Sequence, residues 1–367
     1  MKKITLCAAA ITLTCIQACS QNDGYVVKGE IKGLEGKVYL TTRQNLLEPP
    51  MDSAEVVNGK FTLRGGPVEE VAIRYLNLNG DNVFRSFFLE NGTIKVSGDA
   101  ESFFYAEVSG TQNNRGLTDL LRLMRPINDS IQSIIKEAAE VWTGGDTTKA
   151  GHYGALFMEQ RALYQKTRQS VYEKNQETEF GVFLLNEQAG SSSTTFKIDS
   201  LIALIPQKLM NSPFAKKMVE LRASLVNVDP GVTPPDVALP SLDGNIISLS
   251  SLRGQYVLLD FWASWCGPCR GEIPHLKKVY EKYHGSGFEI FSVSLDDKRD
   301  AWIKALEEEQ MPWIQVSDLK GMKSQVVTDY SITGIPAVWF IDKDGVILAK
   351  DVRGPLLDEK LREVFGY

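Results

Sequence analysis

The chain has 367 residues, 43% of them hydrophobic and 23% charged, enough for two or three domains with ordinary cores. Its formal net charge is −6 and no basic block is interleaved with aromatics, which argues against nucleic acid as a partner.

Met1-Lys2-Lys3 followed by the mostly apolar run Ile4 to Ile16 predicts a secretory signal over 1–18, too short to span a bilayer. The run ends in Ile16-Gln17-Ala18-Cys19, which resembles a bacterial lipobox. That resemblance implies lipidation of Cys19, a short tether over 19–24 and a place in the cell envelope. Ordinary cleavage, leaving Cys19 as a free thiol, is the alternative. Of the five cysteines, Cys7 and Cys15 leave with the signal, so Cys266 and Cys269 remain as one close pair. An exported protein with a single such pair has no disulfide framework to build, so the pair reads as chemical.

Residues 25–110 alternate short apolar runs with turn residues. Asn58-Gly59 lies between Ala54–Val57 and Lys60–Leu63, and Asn91-Gly92 lies between Phe87–Leu89 and Thr93–Val96. Such pairs predict tight hairpins and an antiparallel β sandwich. Residues 111–226 read as helical. Leu117, Leu120, Leu121, Met124, Ile127, Ile131, Ile134 and Ala138 recur at three- and four-residue spacing, with Pro126 expected to kink or divide the helix. Gly144-Gly145-Asp146 should be a loop, followed by a helix from about Tyr153 to Asn175. Ser212-Pro213 looks like an N-cap with proline in the first turn. Neither region shows a metal cluster, phosphate loop or nucleophile–base pair, so both read as scaffold. The Pro-rich stretch 227–235 predicts a linker, with the last domain over 236–367.

That domain carries the chemistry. Tyr256–Phe261 is an apolar run with one acid, Asp260, as in a buried central strand. It leads into Trp262-Ala263-Ser264-Trp265-Cys266-Gly267-Pro268-Cys269-Arg270, with a helix expected from Glu272 to Tyr283 and Pro274 as a kink. A cysteine where a strand ends and a helix begins meets unpaired N–H groups and the positive end of the helix dipole, which lower its pKa. Cys266 is therefore the expected nucleophile, and Cys269, a turn deeper and less exposed, the resolver. Zinc would need two more ligands, and the three histidines, His152, His275 and His284, supply no tight cluster. Haem attachment would need His after the second Cys, where Arg270 stands. No metal or other cofactor is expected beyond the redox disulfide itself.

Asp260-Phe261-Trp262-Ala263-x-Trp265-Cys266-Gly267-Pro268-Cys269 resembles thioredoxin, as does Tyr330-Ser331-Ile332-Thr333-Gly334-Ile335-Pro336, the segment that ends in that fold's cis proline. Leu239–Leu252, Arg270-x-Glu272-x-Pro274 and Phe288–Asp296 resemble the membrane-tethered ResA and TlpA-like branch. The layout is similar to envelope lipoproteins with a β-rich domain of unknown function ahead of a thioredoxin-like α/β domain. The resemblance implies that Asp260 is a buried acid with a raised pKa that takes the proton from Cys269. It points less specifically to Glu272, since a first-turn Glu is also a plain helix stabiliser. Gly267 and Pro268 are the thioredoxin dipeptide. Pro336, if cis, leaves the Ile335 backbone beside the sulfurs for an extended substrate segment. Trp265 is expected as a site wall, Trp262 as core, Arg270 as a solvated helix residue, and His275 and His284 as helix surface.

The resemblance implies a thiol–disulfide oxidoreductase reducing protein disulfides on the periplasmic side of a Gram-negative envelope, fed by a DsbD-like membrane donor. Cytochrome c maturation is one task of that branch. Two rivals stand beside it. A thiol peroxidase shares the Leu239–Leu252 lead-in but places Pro and Thr where this chain has Leu259 and Ala263. A binding lipoprotein would use the redox domain only as an accessory.

Overall fold

The structure, a computed structural model, describes residues 24–43, 48–80, 83–143, 150–190 and 194–367. The expected signal, Cys19, nearly all of the 19–24 tether and the Gly144-Gly145-Asp146 loop lie outside them. Two compact units divide the chain, residues 1–181 and 182–367.

The first unit is a β sandwich with helices. One sheet has the order β4-β1-β7-β8, from β1 (Tyr25–Lys32), β4 (Lys60–Gly65), β7 (Gly92–Asp99) and β8 (Glu107–Ser109). The other has the order β3-β2-β5-β6, from β2 (Lys37–Thr41), β3 (Asp52–Glu55), β5 (Ala72–Leu78) and β6 (Phe84–Leu89). Alternation along β1 and β4 turns Val27, Ile31, Phe61 and Leu63 inward, where they pack with Val38, Leu40, Leu76 and Phe87 of the facing sheet. Every pairing is antiparallel except β1 with β7.

The Asn-Gly pairs correct the expectation. Asn58-Gly59 does make a tight turn, with Val57 and Lys60 exchanging backbone hydrogen bonds (2.9 and 3.0 Å) and both turn residues at positive φ. Yet β3 and β4 lie in different sheets, as do β6 and β7 on either side of Asn91-Gly92. These turns carry the chain from one sheet to the other, because the pairing partner is chosen by long-range burial and not by the turn.

Helix α1 (Gln112–Thr143) runs on through Pro126 without being divided. One proline removes one donor, and the packing of a long helix bridges that loss. Asn114 stitches the start of α1 to β6, accepting from Phe88 N–H and donating to Phe88 O, both at 2.8 Å. Helix α2 (Ala150–Glu173) packs against α1, and α3 (Glu179–Gly190) follows.

The second unit takes in α3 from Val182 onward, then α4 (Thr195–Ile202) and α5 (Pro213–Leu225). Ser212 caps α5 by accepting from Ala215 N–H at 3.1 Å. The stretch expected as a linker is held in place: Gly231 and Val232 exchange backbone bonds with Ile347. Trp339 Nε1 also donates to Val228 O at 2.9 Å. A short hairpin, β9 (Ala238–Pro240) and β10 (Ile246–Ser248), precedes the main sheet. That sheet has the order β13-β12-β11-β14-β15, built from β11 (Tyr256–Trp262), β12 (Phe288–Ser294), β13 (Ile314–Val316), β14 (Ala337–Ile341) and β15 (Ile347–Lys350). The first three are parallel, and β14 and β15 are antiparallel to their neighbours. Helices α6 (Gly267–Tyr283), α7 (Arg299–Glu309), α8 (Gln325–Asp329) and α9 (Pro355–Phe365) complete it. Central strands β11 and β12 are buried almost throughout, which is why they read as near-continuous apolar runs. Among the described residues no helix is long and apolar enough to cross a membrane.

Candidate redox site

Strand β11 ends at Trp262, and α6 starts at Gly267, five residues earlier than the sequence suggests. Cys266 is the N-cap of α6, and its sulfur accepts from Cys269 N–H at 3.2 Å. Pro268 fits this first turn because its missing N–H lies where helices leave donors unpaired anyway. Cys266 and Cys269 are joined as a disulfide, with Cα atoms 5.3 Å apart. The exposure argument for their roles fails, since each is 4% exposed. What distinguishes them is the cap: donors and dipole converge on Cys266, whereas Cys269 sits inside the turn.

The loop before Cys266 is clamped by a residue to which the sequence motif assigns no role of its own. Asp296, almost fully buried, accepts from Ser264 N–H (2.9 Å), Ser264 Oγ (2.6 Å) and Ser294 Oγ (2.8 Å). Trp302 of α7 packs in the same apolar cluster as Trp262, Ala263, Cys266 and Cys269, with Ile335 against it. Trp262 is core, as expected, donating to Gln315 Oε1 at 3.1 Å. Trp265 is 61% exposed and stands on the surface next to Cys266.

Asp260 is buried in β11, two residues from both Leu258 and Trp262 and on their face of the sheet. Leu258 clusters with Ile273 and Leu276 of α6, and Trp262 clusters with Cys269. Asp260 thus lies on the sheet face that α6 covers. Its Oδ2 accepts from Ser292 Oγ (3.0 Å), which in turn accepts from Trp313 Nε1 (2.9 Å). Burial pushes its carboxyl up to about 7; the Ser292 bond opposes this and the Glu272 charge adds to it.

Glu272 is occupied elsewhere: its Oε1 accepts from Gly354 N–H (2.8 Å) and meets His275 Nδ1 (2.9 Å). His275, expected on the helix surface, is half-buried between Glu272 and Asp358, the latter at 3.0 Å. Burial works against its charge, but the two carboxylates hold the imidazole above its ordinary value. His284, about half exposed, keeps to the surface as expected. Arg270 is not simply solvated. It pairs with Glu308 (2.8 Å) and Glu309 (2.7 Å) of α7, which offset its potential.

The Ile335–Pro336 peptide is cis. Register pairs Phe261 with Ala337, so the proline comes beside the end of β11 where the cysteine loop departs. Among the described residues there is no cluster of His, Cys, Asp and Glu that could hold a metal.

A parallel three-strand core continued by an antiparallel pair, a disulfide at the start of the following helix and a cis proline across from it define a thioredoxin-like domain. Residues 230–350 match the AhpC/TSA family, and residues 25–117 match a domain of unknown function, DUF4369. The thiol-disulfide oxidoreductase ResA of Geobacillus thermodenitrificans is 31% identical over 133 residues, covering 36% of this chain and 74% of that protein. The ResA protein of Oceanobacillus iheyensis is 33% identical over 135 residues, covering 36% and 68%. A solved thioredoxin domain of a Bacteroides vulgatus thiol-disulfide oxidoreductase is 37% identical, covers 37% of this chain and 96% of its own, and superposes with a TM-score of 0.36. Through its C-terminal domain, the chain belongs to the ResA-like thiol-disulfide oxidoreductases.

Proposed function

We propose that this protein reduces disulfides of exported proteins by dithiol exchange at Cys266 and Cys269. The observation that carries the reading is the placement of Cys266 as the N-cap of α6, with a backbone N–H already on its sulfur. The Cys266 thiolate attacks a client disulfide, forming a mixed disulfide and expelling one client thiolate. Cys269 then attacks the Cys266 sulfur and expels the second. Two electrons pass to the client, and the Cys266–Cys269 disulfide is left for a membrane dithiol donor of the DsbD kind to reduce. Asp260, on the face covered by α6, takes the Cys269 proton in that second step. Glu272, held by Gly354 and His275, acts on Asp260 through its charge and is not itself the base. Trp265, Gly267, Pro268 and the Ile335–Pro336 segment form the surface against which the client lies. Lipid on Cys19 keeps the enzyme at the periplasmic face of a Gram-negative envelope, and haem-protein maturation is one pathway in which such a reductase serves.

The test is reduction of a protein disulfide by the reduced full-length protein, run beside peroxide consumption. Stoichiometric disulfide reduction that Cys266→Ser abolishes is the expected result. Peroxide consumption without disulfide reduction would favour a peroxidase, and neither activity would favour a binding protein.

A further inference from the structure

The first unit contains a cavity that the redox chemistry does not use. It measures 360 Å³, within the range of small-molecule sites, and opens between β8, the segment before it and one face of α1. Arg115, Arg122 and Arg125 line it at helical spacing together with Thr118 and Asp119, and Arg85 comes from β6. Four guanidinium groups thus face two acids, Glu107 and Asp119. Asp119 is already engaged by Arg122 at 2.7 Å.

Arg85 is the unusual member, with 1% exposure. Its Nε donates to Ala106 O (2.8 Å), its Nη2 to Thr118 Oγ1 (3.2 Å) and its Nη1 to Ser86 O. A guanidinium has five N–H donors, so two remain, one on each terminal nitrogen. Among the described residues no carboxylate pairs with it. A buried charge without a counter-ion is costly, and burial accordingly pulls this arginine down to about 10. Arg125 lies over the Tyr105 ring at 4.5 Å, which leaves its hydrogen-bonding edge free for a ligand. Val108 and Leu121 supply apolar wall. A second cavity of 450 Å³ on α1 shares Arg115, Asp119 and Arg122 and adds Lys174, so the cationic rim continues across the helix.

We infer that this cavity is a binding site for a small organic anion, whose carboxylate or phosphate group is the missing counter-ion of Arg85 and is gathered by Arg115 and Arg125. A planar fork with one free N–H on each terminal nitrogen suits two oxygens of one oxyanion. The volume exceeds what one oxyanion fills, so the ligand carries an apolar body against Val108, Leu121 and Tyr105. The site gives the β-rich unit a small-molecule-binding role separate from thiol exchange.

Full-length protein titrated calorimetrically with inorganic phosphate and, separately, with succinate, at constant ionic strength, tests this. Saturable binding of at least one probe is expected, weakened tenfold or more in Arg115→Gln/Arg125→Gln. Both arginines are exposed, so the variant should fold, which circular dichroism checks. Disulfide reduction should be unchanged in it. Binding of phosphate alone identifies a phosphoryl ligand, and binding of succinate alone a carboxylate. No saturable binding of either probe, or binding equal in the double variant, would overturn the site.

Discussion

Asp260→Asn removes one buried carboxyl and preserves its shape and its acceptor for the Ser292 hydroxyl. Burial pushes Asp260 from its ordinary 3.8 up to about 7. Across that interval the folded protein holds a proton that the unfolded chain has released. The contribution of Asp260 to stability therefore falls as pH rises from about 4 to about 7 and is level beyond. An acid moved over that range corresponds to about 4 kcal/mol, an upper figure given the effective dielectric of real interiors. Asparagine has no such proton, so the oxidised variant should match wild type near pH 4 and exceed it by up to about 4 kcal/mol at pH 8. Denaturant unfolding at several pH values between these limits measures the gap. Parallel stability curves would refute the burial account. The same substitution should slow resolution of a mixed disulfide by about 10²-fold near neutral pH, the low end for loss of a general base. That defect should shrink as Cys269 ionises unaided. Unchanged resolution across pH 6–9 would reduce Asp260 to a structural residue.

Cys19→Ala should move the protein from membranes to the soluble envelope fraction on fractionation, since lipid chains would supply its membrane affinity; retention would mean that another contact holds it. Asp296→Ala strands Ser264 N–H and the Ser264 and Ser294 hydroxyls, and should cost about 3 kcal/mol in denaturant unfolding. An unchanged midpoint would show that the clamp contributes nothing. Ser212→Ala should cost about 1 kcal/mol through loss of the α5 cap, and a neutral effect would place the stability of that helix wholly in its buried Phe214 and Met218.

The sequence showed most clearly what local chemistry decides. Continuous apolar runs marked β11 and β12, and the cysteine motif located the strand-to-helix junction. Ser212-Pro213 marked a helix start, and α5 begins where those residues indicate. What depends on distant partners was less visible. Asn58-Gly59 and Asn91-Gly92 specify a turn, but which sheet the next strand joins is settled by burial across the sandwich. Glu272 resembled a first-turn stabiliser, and nothing near it in sequence reveals Gly354, just as nothing near His275 reveals Asp358. Asp296 stood in the motif at the end of β12, yet its role requires Ser264, 32 residues away. Equal burial of the two cysteines was likewise illegible, because α7 contributes Trp302 to their cover. Arg115, Arg122 and Arg125 lay in plain sight at helical spacing, but only Arg85, brought in by β6, turns that face into a cavity.

The claim at the centre is that Cys266 is the thiolate that attacks. Limited alkylation of the reduced protein over a range of pH, with the modified cysteine identified by peptide mass spectrometry, addresses it directly. Cys266 should be labelled first, with an apparent pKa below the ordinary thiol value of about 8.5, and Cys269→Ser should be labelled as fast as wild type. Preferential labelling of Cys269 at neutral pH would contradict the account and reverse the two roles.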